Sequence, residues 1–360
     1  MVKIMSKDEQ EKFYQNKKVL VTGHTGFIGS WLSECLVLLN SKVSGYALDP
    51  PTIPNLFESL NLTDLIEDNR GDVRNSKLLR KTIREFEPEI VFHLAAQPIV
   101  LNSYESPVET FDINVTGTVN LLNELRNIDS VRTIIVMTSD KSYRNNEWVY
   151  PYRESDVLSG KDPYSASKSC QDIVVNSFRE SYFSNSGVGI SSIRAGNVIG
   201  GGDWAPFRIV PDLDRGISTG KTVKIRNPDS VRPWQHVLEP ISGILKLGEE
   251  MYKNMKFSSD WNFGPEINRE ITVKELADTF IGYWGSGNYS IDGKQRNEEA
   301  NYLQLDINKA KRELKWMPRY DFKTAVKQSV EWYKSFYTDR SNVRKKTEEQ
   351  INKYFSTSML

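Results

Sequence analysis

In the run Tyr164-Ser165-Ala166-Ser167-Lys168 a tyrosine and a lysine stand four residues apart, which on a helix puts phenol and amine on one face. A lysine cation beside a phenol favours the phenolate, drawing it from its ordinary pKa of about 10 toward working pH. Such a tyrosine takes the proton of an alcohol while hydride leaves the same carbon. Spacing alone proves little, because Tyr14/Lys18 and Tyr252/Lys256 repeat it among 16 tyrosines. Context selects the middle pair. Tyr164 opens a helix after Asp162-Pro163, and Thr138-Ser139-Asp140 ends an apolar run upstream. The Ser139 hydroxyl, with a donor and lone pairs, suits holding the reacting alcohol.

A second motif supplies a place for the hydride acceptor. Gly23-His24-Thr25-Gly26-Phe27-Ile28-Gly29 follows an apolar strand and opens a helix. Glycines there allow a tight turn and close approach to a pyrophosphate, whose charge the helix amino end stabilises. Asp49, after the second strand, has two readings: acceptor for both ribose hydroxyls, favouring NAD over its 2′-phosphorylated relative, or a solvated turn aspartate. Asp72, in Gly71-Asp72-Val73-Arg74, is an adenine contact or a turn residue.

Strands are predicted at 17–23, 42–46, 90–94 and 133–137, with a strand end at 192–194. Helices are predicted near 76–86, 107–127 and 163–183, so strands and helices alternate as in a parallel sheet. From about residue 200 the composition shifts toward Gly, Pro, Trp and Asp, and helical periodicity resumes at 273–284 and 322–337. The fold class is α/β, a Rossmann-type doubly wound parallel sheet with a smaller mixed α/β C-terminal substrate-binding region. The division is an N-terminal arm at 1–16, an NAD-binding domain with the catalytic residues at 17–195, a mainly substrate-binding region at 196–337 and a tail at 338–360. The tail reads as a charge-rich surface helix.

Lys+Arg and Asp+Glu both number 47, so the basic footprint of nucleic-acid binding is missing. Two cysteines, Cys35 and Cys170, are too few for a disulfide framework and suit a reducing cytoplasm. The charged start at Lys3, Lys7, Asp8 and Glu9 is unlike a secretory leader. No apolar run approaches the roughly 18 residues of a membrane span. His24, His93 and His236 lack metal-ligand spacing, so no metal is expected.

The segments VTGHTGFIGSWL, GYALDPPTIPNLF, VFHLAAQP, TSDKSY, DPYSASK, RAGNVIGGGDW, IRNPDSVRPWQHVLEP and NFGPE carry a resemblance. Across residues 17–335 the chain resembles the extended short-chain dehydrogenase/reductases, most closely the CDP-glucose 4,6-dehydratases. The resemblance implies oxidation of CDP-linked glucose at the 4-position with NAD, loss of water across the 5- and 6-positions, and return of hydride. The product would be a 4-keto-6-deoxy sugar, a precursor for surface polysaccharide such as O-antigen.

That chemistry gives Asp140-Lys141 a use, because elimination needs a base for the 5-proton and an acid for the departing 6-hydroxyl. Either residue fits either role, and a surface pair is the plain alternative. The dTDP-glucose dehydratases carry an acidic residue where Lys141 stands. Ala95 and Ala96 resemble positions that leave room for cofactor, although small residues also pack strands. Asn114 resembles an asparagine that supports the catalytic lysine, or satisfies helix backbone. Asn197, Arg226 and Arg232 resemble positions that hold the sugar nucleotide, with surface ion pairing as the alternative for the arginines. Leu101 and Ser142 depart from the pattern, where a basic residue and a cysteine would stand. Helices 107–127 and 163–183 resemble a pair that forms homodimers. The competing functions are another nucleotide-sugar 4,6-dehydratase, a 4-epimerase and a non-catalytic NAD sensor.

Overall fold

The computed structural model describes residues 7–291 and 301–356; residues 1–6 of the expected arm and 357–360 of the expected tail lie outside them. A helix α1 (Lys7–Tyr14) leads into β1 (Lys18–Thr22), the glycine turn and α2 (Phe27–Leu38). The alternation continues through β2 (Lys42–Ala47), α3 (Leu56–Ser59), β3 (Glu67–Arg70), α4 (Ser76–Phe86) and β4 (Ile90–His93). Next come α5 (Val100–Glu105), α6 (Pro107–Phe111) and α7 (Gly117–Leu125), the last two joined by a π turn at Asp112–Thr116. Then follow β5 (Thr133–Met137), α8 (Pro163–Phe178) and β6 (Gly189–Ala195). The later part holds β7 (Val198–Ile199), α9 (Ile209–Ser218), β8 (Val223–Ile225), β9 (Gln235–His236), α10 (Leu238–Lys253) and β10 (Trp261–Phe263). It ends with α11 (Val273–Trp284), β11 (Tyr289–Ile291), α12 (Phe322–Thr338) and α13 (Val343–Ser356).

Seven strands form one sheet in the order β10-β6-β5-β4-β1-β2-β3, every pair parallel. The doubly wound expectation is borne out. Strand β4 is buried at each of its positions, as is β6, because helices cover both faces of a parallel sheet. Successive side chains of a strand alternate between faces. Val19 and Val21 accordingly enter one core with α2 and α10, while Leu20 enters another with α4 and α7. Chain direction across the sheet reverses between β1 and β4, and the crevice beyond their carboxyl ends is where such sheets bind ligands.

Two features differ from the sequence pattern. Helix α10 lies in the stretch where periodicity is lost, because 13 of its 16 residues are buried, among them Glu239, Lys246 and Glu249. A helix surrounded by protein has no solvent face to mark its period. The tail is also more than a surface helix: α13 buries Val343, Thr347, Gln350, Ile351, Tyr354 and Phe355. Its stripe includes polar members that bond inward, Thr347 accepting from Trp332 Nε1 at 2.8 Å and Tyr354 donating to Glu239 at 2.6 Å. Polar residues in the buried stripe conceal it from a hydrophobicity count. Beyond the main sheet, β7 pairs with β9 and β8 with β11, giving the smaller mixed α/β part. Among the described residues no helix is long and apolar enough to cross a membrane.

Candidate active site

The turn after β1 is shaped by contacts that exclude side chains. Gly23 has φ +76°, and a Cβ on it would stand 2.7 Å from the Ala95 nitrogen. On Gly29 a Cβ would stand 2.1 Å from the Gly23 carbonyl oxygen, so helix and strand close only without one. Gly26 is the N-cap of α2 and no side chain caps it, which suits an anion at the helix end. His24 is buried beneath the turn and its Nε2 lies 2.8 Å from Asp68, with burial lowering its pKa below the ordinary value. Thr25 donates to the Leu48 carbonyl at 2.9 Å, tying the turn to the end of β2. This cradle fits the pyrophosphate of a dinucleotide.

The remaining cofactor candidates separate by environment. Asp49 is 92% exposed, 3.8 Å from Arg70. Asp72 is gripped by Arg74 through side-chain bonds of 3.0 and 2.6 Å and the backbone N–H at 2.8 Å. Bonding to Arg74 holds its carboxyl below the ordinary range. Ala95 abuts Gly23, while Ala96, Phe27 and Ile28 line a cavity of about 560 Å³ at the carboxyl edge of the sheet.

Ser139, Asp140, Lys141, Tyr164 and Lys168 line that same cavity. Ser139 follows β5 and caps a short turn, accepting the Lys141 N–H at 3.2 Å. Its hydroxyl donates to Asp140 Oδ1 at 3.1 Å, and Lys141 Nζ donates to the same oxygen at 3.2 Å. Oδ2 of Asp140 is buried with no partner among the described residues. The carboxyl is thus asymmetric, with one oxygen accepting from two neighbours and the other from none among the described residues. Tyr164 is at the second position of α8, whose first turn is set by Pro163 and by Asp162 accepting the Ser165 N–H at 2.9 Å.

Burial raises the Tyr164 pKa above its ordinary value, and Lys141, the Ser139 hydroxyl and Arg208 oppose that rise. Lys168 donates to Gln171 Oε1 at 2.8 Å and to the Met137 carbonyl at 3.2 Å. Burial pushes the Lys168 amine down to about 8, against the pull of Asp172. Asn114 makes no direct bond to Lys168. It accepts the Gln97 N–H at 2.8 Å and donates to Ser167 at 2.8 Å, fixing the start of α8 against the π turn.

Asn197, Arg226 and Arg232 also line the cavity. The Asn197 Oδ1 is buried without a partner among the described residues, a state that a bound hydroxyl or amine would relieve. Arg232 is 7% exposed, so surface ion pairing does not describe it. Arg226 donates to the Phe207 carbonyl at 2.9 Å, its guanidinium 5.9 Å from the Phe207 ring. Leu101 lines the cavity where a basic residue is expected, and Ser142 is buried, its carbonyl accepting from the Ser169 hydroxyl at 2.7 Å.

Sequence reasoning missed Arg208 and Asp203, an ion pair of 2.9 Å in the cavity wall. Phe207, just before Arg208, has φ +65°, a conformation costly for a bulky residue and concentrated at functional sites. The GGGDW segment marks Asp203, but no spacing links Arg208 to Tyr164.

The chain belongs to the GDP-mannose 4,6 dehydratase family, whose model matches residues 20–329. The resemblance to the extended short-chain dehydrogenases is thereby borne out. The chain is 47% identical to a CDP-glucose 4,6-dehydratase of Salmonella typhimurium over 333 residues, 91% of this chain and 93% of that protein. A putative UDP-glucose 4-epimerase of Methanocaldococcus jannaschii is 29% identical, over 88% of this chain and 98% of its own length. Among solved structures, a dTDP-glucose 4,6-dehydratase from Bacillus anthracis in complex with NAD superposes with TM-score 0.73 at 24% identity, covering 89% of this chain and 97% of that one. A UDP-glucose 4-epimerase of Thermotoga maritima with UDP-glucose gives TM-score 0.76 at 23% identity, covering 89% and 99%. These two likenesses concern the fold.

Proposed function

We propose that this protein is an NAD-dependent nucleotide-sugar 4,6-dehydratase that converts CDP-glucose to CDP-4-keto-6-deoxyglucose, a cytoplasmic step in deoxysugar supply. The observation that carries the reading is the placing of Ser139, Asp140, Lys141 and Tyr164 around one cavity, with Asp140 bonded to both neighbours. Oxidation alone uses the serine and the tyrosine; the additional carboxyl and amine serve an elimination. The relative at 47% identity bears the same activity in its name.

The Gly23–Gly29 turn would hold NAD, which would supply a reversible hydride acceptor for carbon 4 and the hydride that carbon 6 needs once water has left. Ser139 holds the 4-hydroxyl and Tyr164 takes its proton. The new ketone acidifies the 5-proton, which Lys141 removes, while Asp140 delivers a proton to the departing 6-hydroxyl; Lys141 gives its proton back to carbon 5 as carbon 6 is reduced. Asn197, Arg226 and Arg232 hold the nucleotide diphosphate and sugar, where arginines suit a diphosphate by bidentate bonding. In this reading residues 17–195 form the cofactor domain and 196–337 mainly the substrate side. A homodimer would cover Tyr104, Val108, Ile173 and Tyr182, exposed apolar residues of the α5–α8 surface.

The purified protein, incubated with CDP-glucose and NAD, is expected to yield a 4-keto-6-deoxy product with no net NADH. CDP-galactose would mark an epimerase instead, and no product a cofactor sensor. Competing the reaction with dTDP-, UDP- and GDP-linked glucose tests the base.

A further inference from the structure

A buried hydrogen-bond chain leads from Lys168 to the end of β1, and one set of directions satisfies every link in it. Lys168 Nζ donates to Gln171 Oε1 at 2.8 Å, and Gln171 Nε2 donates to Thr118 Oγ1 at 2.8 Å. The Thr118 hydroxyl gives its one proton to the Asn114 carbonyl at 2.8 Å, an oxygen that can only accept. Thr118 can therefore only accept from His93 Nε2, 3.0 Å away, so that nitrogen carries the imidazole proton. His93 Nδ1 is then the acceptor for Thr22 Oγ1 at 2.6 Å, and Thr22 in turn accepts the Ala95 N–H at 3.3 Å. Gln171, Thr118, His93 and Thr22 are all fully buried. This tautomer follows from the bonding pattern. Burial and the Lys168 charge push His93 down to about 3, which keeps it neutral and its Nδ1 free to accept.

We propose that Gln171 is a positioning residue for Lys168: Thr118, His93 and Thr22 lock its amide with the carbonyl toward the ammonium, keeping that lysine charged on the helical face of Tyr164. A flipped amide would set its NH2 against the ammonium and its oxygen against the Thr118 lone pairs. Two bonds would become two repulsions in a site without water to relieve them. The lock also ties the lysine to the cofactor turn, because its last link is the Ala95 N–H beside Gly23. The inference rests on the reading of Tyr164 and Lys168 as the oxidising pair. The ionisable groups around Lys168 are Asp172, which pairs with Arg194 of β6 at 3.1 Å, His93 of β4, Tyr164, and the Asp140–Lys141 pair after β5.

The test is a pH titration of the full-length protein carrying 15N at the lysine Nζ positions, with the Lys168 resonance assigned by its loss in Lys168→Met. Gln171→Leu removes the acceptor and is expected to lower the Lys168 midpoint by about one unit, tenfold in its ionisation constant. Thr118→Val releases the amide and should lower it in the same direction. Gln171→Glu, which supplies a charged acceptor, should raise it. The alkaline limb of the pH profile for product formation should move with each midpoint. A residue that merely fills space would reduce the melting temperature and leave every midpoint in place. Unmoved midpoints, or Leu and Glu variants shifting the same way, overturn the proposal. If Gln171→Leu does not fold, the Glu and Val variants decide by the opposed signs of their shifts. A wild-type protein that leaves CDP-glucose unchanged would sink the functional reading alone, because the titration needs no substrate.

Discussion

Nζ of Lys141 stands 3.2 Å from Oδ1 of Asp140, with the carboxyl 1% exposed and the amine 27% exposed. The amine reaches into the cavity from a partly open position, while the carboxyl is sealed against the strand end. A surface pair would have both partners in water and would contribute little. Here the geometry suits one group that reaches the substrate and one that is held in place beside it.

Lys141→Ala is expected to separate oxidation from elimination. Dehydration should fall by roughly 10²–10⁴-fold, the usual worth of a positioned acid or base. Reduced cofactor should still form on mixing with CDP-glucose, seen by rapid-mixing absorbance. Dehydration at the wild-type rate would remove Lys141 from the mechanism.

Tyr164→Phe keeps the ring and discards the hydroxyl. The first oxidation should slow by about 10²–10⁴-fold, with NAD affinity by calorimetry within a few-fold of wild type. Equal loss of cofactor binding would instead identify the phenol as a binding group.

The glycine turn gives a paired prediction. Gly29→Ala forces a Cβ to 2.1 Å from the Gly23 oxygen, and such overpacking should cost about 1–3 kcal/mol, read as a lower melting temperature. Gly26→Ala meets that oxygen at 3.4 Å, an ordinary contact, so its stability should hold. Its added methyl lies where a pyrophosphate would approach, and NAD affinity should drop.

Stability toward acid should depend on Asp260. Burial favours the neutral form, but Arg179 and Arg194 outweigh it and hold the carboxyl below its ordinary value. Because the folded pKa is depressed, its contribution is present above the unfolded value of about 3.9 and is lost as pH falls through the folded one. Asp260→Asn leaves two cations with less compensation and should cost roughly 3–5 kcal/mol near neutrality. Urea titrations at neutral pH and at acid pH should show the gap to wild type narrowing in acid.

The strands and helices of the first half were legible because their periodicity is local. The predicted strand at 133–137 matches β5, and the predicted helix at 273–284 matches α11. The motif residues of the turn and of TSDKSY and DPYSASK come together around the cavity edge because each follows a strand or opens a helix at the same end of the sheet. Helix α10 was illegible because it is buried on all sides, and α13 because its buried stripe is partly polar.

Residue order alone therefore carried the alternation, the glycine turn and the choice of Tyr164 over its two decoys, since each depends on neighbours within a few positions. Folding decided the rest: that Arg208 and Asp203 share a wall with Tyr164, that Lys168 turns to Gln171, and that His93 of β4 reaches Thr118 of α7. Those contacts join elements far apart in the chain. Hydrogen-bond direction and burial, which set their chemistry, exist only once the sheet has closed around them.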